Sequence, residues 1–197
     1  MLLTLLGVGA MRSPRYAPAG LLLAHRGVRL AFDGGPGAEP VGRLDAWLVT
    51  DERGELQPAL RRLARPRGLE PVVAPFRSDG LEAEPHPVVH TSHPAFGYLV
   101  TAGPRRLAWA PEFWVFPDWA AGVDLLFAEA AGWNRPIRFA GGVGGHAAAL
   151  DVAEEARRRG VRRLVFAHIG RPTIRAIDAG HQPPFGDLGT DGRRYRL

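Results

Sequence analysis

The first third of the chain is a series of short apolar runs, each closed by turn residues. "LLTLLGV", "GLLLAH" and "RLAFDGG" have strand length and each reads as a β-strand. "VRLAFDGGPGAEPVGRLDAWLVT" continues as strand, Gly/Pro loop, short connection and strand. In "QPALRRLARPR", residues 57–67, Leu60, Leu63 and Ala64 recur at helical spacing, with Pro58 in the first turn and Pro66 near the end. That spacing predicts a short amphipathic helix. "EPVVAPF" reads as a further strand, and residues 77–87, rich in proline and acid, as a loop.

"PVVHTSHPAFGYLVTAGPRRLAWAP" predicts a strand, a His-bearing loop and a hairpin turning at "AGPRR". "VDLLFAEA" is apolar enough for a buried strand. The clearest unit is "GGVGGHAAALDVAEEARRRGVRRLVFAHIG": a glycine loop, a helix over residues 147–159, Gly160 as its C-terminal cap, and the strand "RRLVFAH". Arg157, Arg158 and Arg159 sit at the negative end of that helix dipole and need no ligand. The residues after Pro172 read as an irregular surface wrap. Strands come first and then alternate with helices, so the class is α/β or α+β, as one domain over residues 1–197.

Composition narrows the chemistry. Cysteine is absent, which removes disulfides, thiolate ligands and a Cys nucleophile and suits a cytoplasmic location. Any metal site must therefore draw on His, Asp and Glu. The net charge is +5, and every basic residue is Arg. Without Lys there is no Schiff-base chemistry and no Walker-type phosphate loop. The arginines permit an anionic substrate, but they are spread along the chain among acids, as a GC-rich coding bias would leave them. They also permit nucleic acid, although no binding motif or dense basic stripe is present. No apolar run is long enough to span a bilayer. "MLLTLLGVGAM" has no basic residue before its apolar part and reads as strand and turn, not as a signal sequence.

Of seven histidines, His25, His86 and His181 lie in polar or Pro-rich contexts and read as surface residues. His90 and His93 follow "PVV", His146 follows the glycines, and His168 ends an apolar strand, where α/β proteins place ligands. Asp33, where a strand runs into "GGPG", reads as a cap for backbone N–H groups. The glycines at 141–145 read either as a flexible loop or as an anion seat at a helix N-terminus. Trp109, Phe113, Trp114, Phe116, Trp119 and Trp133 flank Glu112; most read as core, with some available to wall a pocket. "TDERGE", from Thr50 to Glu55, reads by itself as a charged turn.

Together these stretches resemble the metallo-β-lactamase-fold hydrolases. "LTLLGVGAMRSPRYAPAGLLLAHRGVRLAFDGGPG" looks like the opening of that superfamily, with its Asp-x-Gly turn at Asp33 and Gly35. "HPAFGYLV" and "RRLAWAPE" resemble the middle His and the strand that delivers a bridging acid, here Glu112. "GGHAAALDVAEEARRRGVRRLVFAHIG" is similar to the closing segment of the tRNA 3′-processing endonuclease and cyclic phosphodiesterase branch. There the separation of His146 and His168 (168 − 146 = 22) matches the two closing histidines.

The resemblance implies a four-layer αβ/βα sandwich and hydrolysis, of a phosphodiester if the branch holds. It implies metal ligation by His168, Glu112 and either His90 or His93. His146 would serve the departing oxygen, with Asp51 or Glu55 assisting. The first metal-binding loop departs from the family's pattern: Asp51 and Arg53 replace two histidines, Glu55 an aspartate and Leu56 a histidine. Arg has no lone pair to offer a cation and Leu none at all, so a two-ion centre of the usual shape cannot form. One divalent ion, zinc or manganese, or no metal is expected, with Arg53 free to bind an anion or to pair with Asp51 or Glu112. The substrate implied is small and anionic or phosphate-containing. The competing class is a binding or regulatory protein that kept the fold and a charged pocket.

Overall fold

The computed structural model describes residues 1–197, the whole chain. Four strands open it, β1 (Leu2–Gly7), β2 (Gly20–His25), β3 (Val28–Asp33) and β4 (Ala46–Leu48), and helix α1 (Gln57–Ala64) follows. Next come β5 (Phe76–Ser78), β6 (Leu81–Val88), β7 (Ala95–Ala102), β8 (Arg105–Ala110) and β9 (Leu125–Ala130). A two-strand ribbon, β10 (Ile137–Arg138) with β11 (Gly145–His146), precedes α2 (Ala149–Arg158), β12 (Leu164–Ile169) and α3 (Arg171–Asp178). β13 (Asp187–Leu188) and β14 (Arg194–Arg196) close the chain.

Two sheets result. One has the order β14-β1-β2-β3-β4 and the other β13-β12-β9-β8-β7-β6-β5. Side chains alternate across each strand, so each sheet has two faces to cover. Leu3, Leu5, Leu21, Leu23, Leu30 and Phe32 point from the first sheet into a core of 40 buried residues shared with Tyr98, Trp109, Phe127 and Phe166 of the second. The opposite parity, Leu22 and Ala31 with Trp47, packs under Leu60 and Ala64 of α1. Helix α2 covers the outer face of β9 and β12 with Val152, Ala153 and Ala156. The order of layers is therefore helix, sheet, sheet, helix.

Four sequence expectations are corrected. Residues 77–87 are not a loop: β6 pairs with β7 from Leu81 to Val88. Leu81 and Ala83 turn inward while Glu82 faces solvent, and β5 covers only Leu81 to Ala83. Pro85 and Pro87 thus lie on an open edge, where a missing N–H costs nothing. "EPVVAPF" is not a strand beyond a single bridge from Val72 to Leu48 and its last residue, Phe76, which begins β5; Pro71 and Pro75 interrupt the rest. The tail is not irregular throughout. It folds α3, with Pro172 in the first turn, and β14, which pairs with β1. β14, at three residues, is too short to show a period in sequence; α3 carries one in Ile174 and Ile177, which the expectation of an irregular tail overlooked. Helix α2 also starts later than expected, at Ala149, four residues beyond the glycines.

The C-terminal ends of β3, β4, β6, β8, β9 and β12 lie at one edge of the sandwich. Backbone bonds across that edge join the sheets: Ile169 N–H donates to Val8 O at 2.6 Å and Ala10 N–H to Ile169 O at 3.1 Å.

Phe32→Ala, which empties a fully buried site stacked edge-on to Tyr98, is expected to cost about 3–5 kcal/mol in urea unfolding. Val41→Ala, at a position 76% exposed, should stay within about 0.5 kcal/mol. Equal effects would mean the core does not lie between the sheets.

Candidate metal and acid–base site

The site is built at this edge, outward from one carboxylate. Glu129 lies in β9, a strand buried at every position, and its own side chain has no exposed surface. A buried charge persists only when it is fully hydrogen-bonded. Glu129 accepts from the backbone N–H of Ala131 at 2.7 Å and of Phe113 at 3.3 Å. Its two oxygens take one imidazole each, His146 Nδ1 at 2.7 Å and His168 Nδ1 at 3.1 Å. Burial pushes its pKa up, but the charges of His168 and His146 and these bonds hold it below the ordinary carboxylate range.

His168 enters through distorted backbone. The pairing of β12 with β9 shifts register between Phe166 and Ile169, and His168 sits at φ 58°. That left-handed conformation is uncommon for any residue but glycine, and it aims the ring out of the strand's alternation. Its Nε2 lies 3.3 Å from Glu112 Oε1. Burial opposes the His168 charge, yet Glu112 and Glu129 outweigh it and carry the pKa to about 9.

His90 follows β6 and is buried. Its Nδ1 donates to Gly145 O at 2.9 Å, and its Nε2 lies 2.8 Å from Glu112 Oε2. The glycines make this approach possible. A Cβ on Gly144 would fall 2.0 Å from His90 O, and one on Gly145 2.0 Å from Ile137 O and 2.3 Å from the Trp114 ring. They are thus packed against the site and do not begin a helix. Burial opposes charge on His90 too, but the bond to Glu112 raises its pKa overall. Glu112 is drawn the other way: burial pushes it up, and His168 and His90 pull it well below the usual range. Its side chain keeps 36% of its surface, so the cluster opens outward.

One hydrogen-bond assignment satisfies all of this. A carbonyl and a carboxylate only accept, so Nδ1 of His90, His146 and His168 carries the proton in each case. His90 and His168 then present Nε2 to Glu112. One ligand atom each from His90, Glu112 and His146 lies within 4.8 Å of the others, and the same holds for Glu129, His146 and His168. These overlapping groups could hold a divalent metal ion. The donor set fits: two Nε2 protons exchanged for one dication leave the cluster's charge unchanged, and each imidazole is already oriented from behind.

The first loop lies elsewhere in the same cavity of about 970 Å³. Asp51 caps the N–H of Arg53 at 2.7 Å, an Asx turn, and its other oxygen lies 2.8 Å from His93 Nε2. His93 is therefore with Asp51 and not with the His90–Glu112–His168 group. The Arg53 side chain pairs with neither Asp51 nor Glu112; those acids are taken by histidines. Glu55 is exposed at the cavity wall, and Leu56 lies beside it. Asp33 caps Thr50, accepting from its N–H at 2.8 Å and its hydroxyl at 3.0 Å, and accepts from Trp109 Nε1 at 2.7 Å. Burial pushes Asp33 up to about 6 against those donors.

Trp109, Phe113 and Phe116 are core, and Trp133 stacks on His181 outside the site. The larger apolar side chains of the cavity are instead Met11, Tyr16, Leu56, Leu60, Ile137 and Phe139. Sequence reasoning missed Glu129. Its signal was present, as the one carboxylate inside the apolar run "LLFAEA".

No family model and no curated protein matches the sequence. Solved structures do. The metallo-beta-lactamase fold protein YhfI from Bacillus subtilis superposes with a TM-score of 0.76 at 14% identity, covering 99% of both chains. A diphosphatase from the PhnP family gives 0.76 at 19% identity, covering 100% of this chain and 97% of its own. The short form of human tRNase Z gives 0.70 at 17%, covering 100% and 99%. At these identities the likeness shows the fold, the four-layer αβ/βα sandwich, and singles out no branch.

Because His168 binds its proton more tightly when folded, the stability this adds is complete below about pH 6.5 and disappears as pH rises through about 9. In chelator-treated protein, the melting temperature should fall across that window. Much of the fall should be absent in His168→Ala; the same fall in both would contradict the assignment.

Proposed function

We propose that this chain, built on the metallo-β-lactamase fold, is a hydrolase with one divalent cation, zinc or manganese, held by His90, Glu112 and His168. The observation that carries the reading is the position of Glu112, between His90 Nε2 at 2.8 Å and His168 Nε2 at 3.3 Å. Both rings are fixed from the far side by Gly145 O and Glu129. A divalent cation held there would supply Lewis-acid polarisation of a substrate oxygen and activation of water at neutral pH.

The chain's own residues do the rest. His146, with its Nδ1–H donated to Glu129, has Nε2 free; in the imidazolium form, Nε2–H would give its proton to the departing oxygen. Asp51, hydrogen-bonded to His93, stands in the same cavity, and Glu55 lies on its wall; both can assist the water. Arg53 and Leu56 remove the ligands a second ion would need. The likeness to a diphosphatase and to tRNase Z supports a small phosphate-containing substrate and cleavage of a phosphodiester.

A binding or regulatory role has one observation in its favour. The cluster neutralises itself without a metal, because Glu112 already has two imidazole partners.

Metal analysis of protein purified without chelator separates the two. About one zinc or manganese ion per chain is expected, lost in His168→Ala, with turnover of bis(p-nitrophenyl) phosphate. His146→Ala should lose about 10²- to 10⁴-fold in kcat while His90, Glu112 and His168 keep the metal; loss of the metal as well would make His146 a ligand, since it belongs to both groups able to hold an ion. No bound metal and no turnover with either ion added would leave the binding role.

A further inference from the structure

Three arginines line the cavity that holds the cluster: Arg12, Arg53 and Arg171. None has a side-chain hydrogen bond or ion pair, whereas Arg15 and Arg159 elsewhere on the surface are tied to Asp178 and Asp118. They come from three separate segments, each with fixed backbone. Asp191 clamps the loop bearing Arg12 by accepting from Val8 N–H and Ala17 N–H, both at 2.9 Å. Arg53 lies in the Asx turn of Asp51. Arg171 is the first residue of α3.

Three of the four acids lining the cavity are hydrogen-bonded to other groups and make no ion pair with these arginines. Asp33 is bound by Thr50 and Trp109, Asp51 by His93, and Glu112 by His90 and His168. Glu55 alone is unengaged.

We propose that Arg12, Arg53 and Arg171 form an anchoring subsite for the phosphate dianion of an organic phosphate whose apolar body lies along Ile137 and Phe139. Guanidinium groups meet phosphate in bidentate fashion and keep their charge at any working pH. Three guanidinium groups offer more donors than the two oxygens of a carboxylate can use, whereas a phosphate dianion presents three terminal oxygens. At about 970 Å³ the cavity is far larger than a phosphate group alone, so the ligand carries a body. The anchored group is distinct from the bond being cleaved. The subsite deepens the hydrolase reading and rests on it for the statement that the ligand is a substrate; the binding itself does not need the metal.

Calorimetry on the full chain after chelator treatment tests it, with phenyl phosphate, inorganic phosphate and benzoate as probes. Phenyl phosphate should bind at least about tenfold more tightly than either of the others, and more weakly as salt rises. Arg53→Gln should weaken it about tenfold, and Arg12→Gln and Arg171→Gln should each weaken it measurably, with melting temperatures unchanged. No binding of phenyl phosphate, equal binding of benzoate or of inorganic phosphate, or unchanged binding in Arg53→Gln would overturn the subsite. Metal content and turnover are read separately, so loss of the hydrolase reading would leave this result standing, and the reverse.

Discussion

A single buried carboxylate fixes the geometry of this protein's site. Glu129 has no exposed side-chain surface and accepts four hydrogen bonds, two from backbone and two from imidazoles. Its desolvation would be prohibitive without them. Satisfying it therefore requires that β9, the segment at Phe113, the ribbon bearing His146 and the bulged end of β12 all meet at one point. The fold and the site are in this sense one constraint. Close glycine packing at Gly144 and Gly145 and the left-handed backbone at His168 follow from it.

The same arrangement explains how the cluster tolerates several charges at close quarters. Glu112 and Glu129 raise the proton affinity of His168, and Glu112 that of His90. Two imidazolium protons facing Glu112 carry the charge of one divalent ion. A metal and a pair of protons are alternative ways of balancing the same acids, so metal affinity and pH are coupled here by construction. The first loop is organised differently. Asp51 turns inward to His93 and to the N–H of Arg53, which leaves the Arg53 guanidinium facing an open cavity without a partner.

Much of this was legible in sequence. The early strands, α1, the hairpin and the final glycine–helix–strand unit follow from period and turn residues; His90, Glu112 and His168 stand at the ends of apolar runs, and His146 follows the glycines. Three things were not. β6 was hidden because its prolines argue against a strand unless the edge is known to be open there, and that is a fact of topology. The choice between His90 and His93 turns on which ring reaches across to Glu112, which chain spacing does not encode. Glu129 passed as part of a core strand, although a lone acid among six buried residues is costly enough to demand partners.

The central claim is that His90, His146 and His168 are all held through Nδ1, so that Nε2 of His90 and His168 is turned toward Glu112. Nitrogen NMR of the histidine rings reads this directly, with or without zinc. A proton on Nδ1 of all three rings is expected in both conditions. A neutral ring at any of the three positions with its proton on Nε2 and a bare Nδ1 would contradict it.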